Sequence, residues 1–465
     1  MPQSQVTPEK QTLFNRIRRS IFPGTLGPDK DRKDYRQFFN TLVLHFRPRT
    51  VDERTLRLTL SWGLGGMAAV LILLLIGTGV LLKFVYEPFP DRAYESILYL
   101  QQDVLFGGLI RNIHHWSGNG LLIVVFLHFL RVFFTGAFHP PRQFNWIIGL
   151  GLFATVLLSN FTGYLMPWDQ LAFWAVTIST GALDYIPGVG PWLQRLILGG
   201  SEVGTTTLSN FYAIHTIILP AFFVVLMPFH FWRIRKAGGL VIPRTLNEDV
   251  EIRGRRVEVI PNLILREIVV ALVLVAFILV FAMLFNAPLE GKANPGLSPN
   301  PTKAPWYFMG IQELLLHFHP LFSLLVIPTL LLAALLILPY VDDHFDTAGV
   351  WFVSLNGRKT ALMAVLTAIL ATTAGILADE YVIDLAAWMH GVPAVISNGV
   401  LPFVFILAGI AGFYKLIKHR YSATNNERVQ AIFVLFLVAF LVLTLTGMGF
   451  RGEGMRLMWL WGRGG

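Results

Sequence analysis

Five histidines, His114, His115, His128, His215 and His230, fall inside long apolar runs. An ionisable side chain there is costly and usually has a partner. His114 and His128 are 14 residues apart, and His215 and His230 are 15 apart. At 3.6 residues per turn either interval is close to four turns, so each pair shares one helix face with its members about 21 Å apart along the axis. If the two helices face one another, His114 meets His215 and His128 meets His230. Each facing pair could then grip one haem iron from both sides, and two haems at different depths would make a transmembrane electron path. A lone intramembrane histidine is more often a packing residue or a proton relay. Two pairs at matching levels point instead to bis-histidine haem ligation. Zinc fits poorly, because the two levels are too far apart for one ion and no carboxylate or thiolate stands with them. His115 points about 100° away from His114 and is the weaker ligand candidate.

Glycines repeat the same interval on two other apolar runs. Gly65 and Gly79 are 14 apart, as are Gly149 and Gly163. A flat macrocycle needs close backbone approach, which glycine permits, although glycine is also a common packing residue between membrane helices. Arg111 precedes His114 by three residues and Arg131 follows His128 by three. Guanidinium is the natural partner of a haem propionate; membrane-surface anchoring would explain Arg131 equally well but not Arg111.

These residues need helices to position them. The chain is 54% hydrophobic and 14% charged, against a usual charged content of about 25%, which argues against a soluble domain. Nine apolar runs are long enough to cross about 30 Å of hydrocarbon: 61–85, 113–134, 146–166, 212–234, 265–286, 321–340, 360–378, 399–417 and 428–448. The expected fold is an all-α integral membrane protein in four parts. These are a basic cytoplasmic segment (1–58), a four-helix di-haem bundle (59–240), the fifth and sixth spans with a long loop (241–345), and additional carboxy-terminal helices (346–465). Twelve Lys and Arg residues lie between Lys10 and Arg57, and eight between Arg233 and Arg266. The alternate loops carry Glu87, Asp91, Asp103, Asp184, Asp379 and Glu380. By the positive-inside rule the amino terminus is cytoplasmic and the acidic loops face outward. The net charge of +9 therefore reads as membrane topology rather than nucleic-acid binding. No cysteine is present, so no iron–sulfur cluster and no thioether-linked haem can be held.

The stretch Arg111–His128, GYLMPWDQLAFW from Gly163 to Trp174, TLSNFYAIHTIILP from Thr207 to Pro220, and HFWRIRKAGG from His230 to Gly239 resemble cytochrome b of Rieske-type bc complexes. The 15-residue interval in the fourth span resembles the chloroplast-type branch. The resemblance covers roughly residues 40 to 345. It implies that His114 and His215 bind an outward-side b haem and His128 and His230 an inner one, with Gly65, Gly79, Gly149 and Gly163 packing them. It further implies quinol oxidation at an outer-side pocket. One electron would go to a Rieske iron–sulfur protein and then a c-type cytochrome; the other would cross both haems to an inner-side quinone, with protons released outside. A homodimer within the complex and a bacterial inner-membrane location follow from the same resemblance.

Three departures stand out. The family's Pro-Glu-Trp-Tyr motif reads Ala304-Pro305-Trp306-Tyr307 here. Trp306 and Tyr307 match, but Pro305 cannot accept a proton. Glu313 is the expected substitute acid, with a helix-terminus role as the competing reading; Asp169 is another candidate, and Tyr164 is expected to line the pocket with Tyr307. The chloroplast branch's extra cysteine-linked haem cannot form. The last two spans and the Gly-rich end from Arg451 extend past the chloroplast plan. Two rival classes remain: a di-haem membrane anchor for a dehydrogenase or hydrogenase, and a transporter using histidine relays.

Overall fold

The computed structural model describes residues 49–241, 255–341 and 354–458. Most of the expected basic amino-terminal part, the middle of the fourth-to-fifth-span loop, the connection after the sixth span and the end of the Gly-rich tail lie outside the described residues. A two-stranded antiparallel ribbon, β1 (Thr50–Asp52) with β2 (Arg256–Glu258), caps one end of the molecule. The helices longer than one turn are α1 (Leu64–Lys83), α2 (Ala93–Gln102), α3 (Gly107–Phe134), α4 (Gln143–Leu165), α5 (Gln170–Gly181), α6 (Gly190–Leu198), α7 (Thr205–Lys236), α8 (Val259–Leu284), α9 (Met309–His317), α10 (Phe322–Tyr340), α11 (Leu355–Tyr381), α12 (Ile396–Tyr421) and α13 (Asn425–Gly449).

Among the described residues nine of these, α1, α3, α4, α7, α8 and α10–α13, are long and apolar enough to span a bilayer. The expected all-α membrane architecture holds, and each span lies where its apolar run was placed. The main shifts are extensions: α3 starts at 107 and α7 at 205. There a helix continues through polar residues such as Arg111, Asn112 and Asn210, which a hydropathy window excludes. Apolar side chains of α8 such as Leu272, Val273 and Phe277 face outward. Hydrocarbon makes such a stripe favourable, and with nine helices of spanning length among the described residues the chain is a multi-pass membrane protein.

Three spans contain one widened π turn each, at Ile214–Ile218, Phe322–Val326 and Ile396–Val400. A proline stands two residues after each: Pro220, Pro328 and Pro402. Proline lacks the N–H for the i−4 bond, and its ring clashes with that carbonyl, so the preceding turn opens.

The core of α1, α3, α4, α7 and α8 is built from Leu71, Leu121, Leu122, Val156, Phe223 and Ile278. The carboxy-terminal helices are not a separate appendage. Ala364 of α11, Phe413 and Ile417 of α12, and Ala431 and Val434 of α13 share one buried cluster with Phe133, Phe134 and Trp146 of α3 and α4. The Trp146 indole donates to the Leu335 carbonyl of α10 at 2.7 Å. The loops 167–204 and 287–321 gather at the end opposite the ribbon, which we call the loop face.

Candidate functional site

α1 packs on α3 and α4 on α7, and the second and fourth spans approach one another through His114 and His215. At the upper level the His114 and His215 rings stand 6.3 Å apart, centre to centre, with planes crossed at 74°. Two metal–imidazole bonds of about 2.0–2.1 Å on opposite sides of one ion put ring centres about 6 Å apart. The unequal sequence intervals are reconciled by the π turn. His215 lies inside Ile214–Ile218, where the wider turn accommodates an extra residue and offsets the longer interval before His230; His128 and His230 line one cavity.

Each ring of the upper pair is held by a Thr-Gly pair on the neighbouring span. The Thr78 hydroxyl donates to the Leu74 carbonyl at 2.8 Å, and its oxygen lies 2.9 Å from His114 Nδ1. Thr162 donates to Leu158 at 2.8 Å and lies 2.9 Å from His215 Nδ1. Because each hydroxyl proton goes to a carbonyl, the oxygen accepts from Nδ1–H, and this donor accounting leaves the Nε2 lone pair of each ring free for a metal. The next residues are Gly79 and Gly163. A Cβ at Gly79 would lie 3.2 Å from His114 Cε1, and one at Gly163 2.8 Å from His215 Cε1. Sequence reasoning named the glycines and missed Thr78 and Thr162. The signal was legible, as Thr-Gly recurs in the first and third apolar runs.

The lower level repeats the pattern more loosely. A Cβ at Gly65 would sit 3.6 Å from His128 Cε1, and one at Gly149 3.5 Å from His230 Cε1. His128, His230, Gly65, Gly149 and Arg131 line a common cavity of about 1340 Å³. Arg131 is 4% exposed. Its Nε donates to the Leu60 carbonyl at 3.2 Å, while its Nη2 is buried with no hydrogen-bond partner. A buried guanidinium nitrogen without an acceptor suits an anionic group such as a haem propionate. The crossed rings and glycine cradles at the upper level, and the glycine cradles, shared cavity and orphan donor at the lower, fit a bis-histidine haem.

Arg111 is placed differently. Its Nη1 and Nη2 donate to the carbonyls of Ala287 and Pro288 at 2.9 and 2.6 Å, so it ties the loop after α8 to α3. His115 turns away from His114, and its Nε2 lies 3.2 Å from Asn119 Nδ2. Asn119 Oδ1 accepts from the Trp306 indole at 2.8 Å.

The other predicted site residues gather at the loop face. Asp169 caps α5 by accepting from Ala172 N at 2.9 Å, and its second oxygen accepts from Glu290 N at 3.0 Å. Gln170 N donates to the Gly291 carbonyl at 2.9 Å. The 167–170 turn thus stitches the two long loops together, and Asp169 has both oxygens engaged. Tyr307 packs against the bundle core, its hydroxyl buried without a partner. Burial, with Tyr164 as a smaller cause, holds its phenol well above the usual value. Glu313 is fully buried and accepts from Arg451 Nη2 at 2.6 Å and from Arg451 Nε at 3.0 and 3.1 Å. Burial pushes this carboxyl up, but hydrogen bonds from His317 and Arg451 more than offset it and hold it below the usual range. No sequence signal pointed to Arg451, which lies 138 positions away.

A profile of the cytochrome b/b6/petB family matches residues 52–238. The chain is 45% identical over 175 residues to cytochrome b6 of Tupiella akineta, covering 38% of this chain and 81% of that protein. It is 42% identical over 175 residues to cytochrome b6 of Chlamydomonas reinhardtii, with shares of 38% and 81%. In fold it is similar to a chain of a solved hyperthermophilic respiratory complex III, with a TM-score of 0.61 and 22% identity over 88% of this chain and 98% of that one.

Proposed function

The chain belongs to the cytochrome b/b6 family, and from that premise we propose that it is the quinol-oxidising subunit of a Rieske-type bc complex. Membership makes it a membrane-embedded electron-transfer subunit of the bc type carrying b-type haems, and without cysteine in the chain those haems are held non-covalently. We assign His114 and His215 as the axial ligands of the haem nearer the loop face and His128 and His230 as those of the haem nearer the ribbon. The observation that carries this is the pair of rings at 6.3 Å, each aimed by its own threonine. The haems, when bound, supply two one-electron carriers at different depths.

The residues do the positioning. Thr78 and Thr162 hold the ligand tautomer; Gly79 and Gly163 keep the rings close to the neighbouring spans; Arg131 offers its free nitrogen to a propionate. Trp306, Tyr307 and Tyr164 form the quinol pocket at the loop face. Asp169 and Arg111 hold the loops that close it against water, and Glu313, standing in for the missing motif glutamate, remains the proposed acid of the site and can take a proton only when its pair with Arg451 opens. One electron leaves for a Rieske iron–sulfur protein and on to a c-type cytochrome. The second crosses the bilayer to a quinone near the ribbon, and protons are released at the loop face. The bacterial inner membrane, a cytoplasmic amino terminus, bound lipid, a homodimer and the four-part division of the chain belong to the same reading.

The test is haem content with reduced-minus-oxidised spectra of the purified complex. His128→Ala or His230→Ala should each lose one haem of two and keep the one nearer the loop face. Loss of neither haem refutes the ligand assignment. A complex that copurifies with a dehydrogenase or hydrogenase, with no Rieske protein and no second electron acceptor, favours the membrane-anchor reading instead.

A further inference from the structure

The carboxy-terminal helix and the turn after it grip the quinol-motif segment at successive points. Gly454 N donates to Asn300 Oδ1 at 2.6 Å, and Lys303 Nζ donates to the Met448 carbonyl at 3.1 Å. Gly310 lies so close beneath α13 that a Cβ would meet Phe440 Cε2 at 2.6 Å and Thr444 Oγ1 at 2.7 Å. Next comes the Arg451–Glu313 pair, with side chains 1% and 0% exposed. Taking both charges out of water costs several kcal/mol per ion, which is recovered only when the remaining polar atoms are also satisfied.

Here they are. Arg451 Nη1 donates to Glu380 Oε2 at 2.7 Å and to the Met455 carbonyl at 3.0 Å. His317 Nε2 lies 3.3 Å from Glu313 Oε1, and His317 Nδ1 lies 2.6 Å from Asp379 Oδ2. The charged groups facing Glu313 are therefore His317 on its own helix, Arg451 beyond α13, and Asp379 and Glu380 at the end of α11. Burial pulls His317 down, but its hydrogen bonds to Asp379 and Glu313 raise it to about 9. At neutral pH it is a cation between two carboxylates.

The segment Trp306–Phe308 runs directly into α9 at Met309. Whatever sets the depth and rotation of α9 also sets where Trp306 and Tyr307 stand. We propose that Arg451 is a positioning residue of the loop-face pocket: through Glu313 it locks α9, so that the carboxy-terminal helices form an outer wall of the quinol site. This rests on the quinol-pocket reading above, and it gives the helices beyond the chloroplast plan a role. An arginine suits the task, because its planar fork engages both oxygens of one carboxylate while still reaching a second.

The test uses the intact complex and measures amide exchange of residues 304–318, haem content, and kcat/KM for a short-chain quinol. Arg451→Met alone strands a buried carboxylate and can cost folding, so the deciding variant is the double Glu313→Gln/Arg451→Met, which removes both charges. Because that variant also removes the proposed acid, amide exchange is its decisive readout, and Arg451→Lys with Glu313 intact carries the kinetic one. We expect the double variant to keep both haems while exchange over 304–318 rises. We expect Arg451→Lys to keep both haems and to lower kcat/KM, by up to about a hundredfold for a displacement near 1 Å. Native-like exchange in the double variant overturns the proposal, as does a loss of activity in Arg451→Lys that only tracks loss of haem. If the native complex oxidises no quinol, the functional reading fails, and the exchange measurement still decides the role of Arg451.

Discussion

The glycine cradles differ in tightness, and the difference predicts which glycine tolerates alanine. At Gly163 an added Cβ would stand 2.8 Å from His215 Cε1, 3.4 Å from Nε2 and 3.5 Å from Nδ1. Carbon atoms pack best at about 3.5–4.0 Å, and the ring cannot retreat without breaking its bond to Thr162. Overpacking of this kind costs roughly 1–3 kcal/mol. Replacing glycine by alanine inside a helix returns about 1 kcal/mol. The net penalty at Gly163 reaches about 2 kcal/mol, a shift of about thirtyfold at 1.4 kcal/mol per factor of ten. At Gly65 the corresponding contact is 3.6 Å, ordinary packing distance, and the helix gain is the larger effect. Gly163→Ala should therefore lose the haem nearer the loop face selectively, and Gly65→Ala should keep both. Haem-to-protein ratio with low-temperature spectra of the two b haems reads this directly. Equal loss in both variants, or loss of the other haem from Gly163→Ala, refutes the reasoning.

Thr162→Val keeps the shape of the side chain and removes the acceptor for His215 Nδ1–H. Loss of such an outer partner typically costs about 10–100-fold in affinity, so haem retention at that level should fall while Thr162→Ser stays near native. The cluster around His317 makes stability depend on pH. Its folded value of about 9 lies above the ordinary 6.5, so the stabilisation is complete below about 6.5 and disappears as pH rises through about 9. Thermal denaturation of the complex between pH 6.5 and 10 should show a decline that His317→Asn flattens; an unchanged slope in that variant would rule the imidazole out.

Much of the candidate haem site was legible before any fold was known. Residues 14 or 15 apart on apolar runs lie on one face of a helix whatever surrounds them, so four candidate ligand histidines and four glycines could be named from helical geometry. Thr78 and Thr162 were within reach of the same reasoning, since each precedes one of those glycines. The loop face was harder. Asp169 was named as a candidate acid, yet its oxygens are taken by Ala172 N and Glu290 N, and Arg111, expected near a propionate, is spent on two loop carbonyls. Those partners are 121 to 177 positions away from Asp169 and Arg111, apart from the local Ala172 cap.

By itself the sequence determined the nine apolar runs, their helical faces and the matching spacing of the histidines along two of them, because hydrocarbon forces every spanning backbone into helix and helical geometry then dictates which side chains align. Only the tertiary structure decided that the second and fourth spans bring His114 and His215 together, that Arg131 keeps one buried nitrogen free, and that Arg451 reaches Glu313. Each of these depends on contacts between segments distant in the chain, and local spacing carries no record of which distant groups will share one desolvated volume.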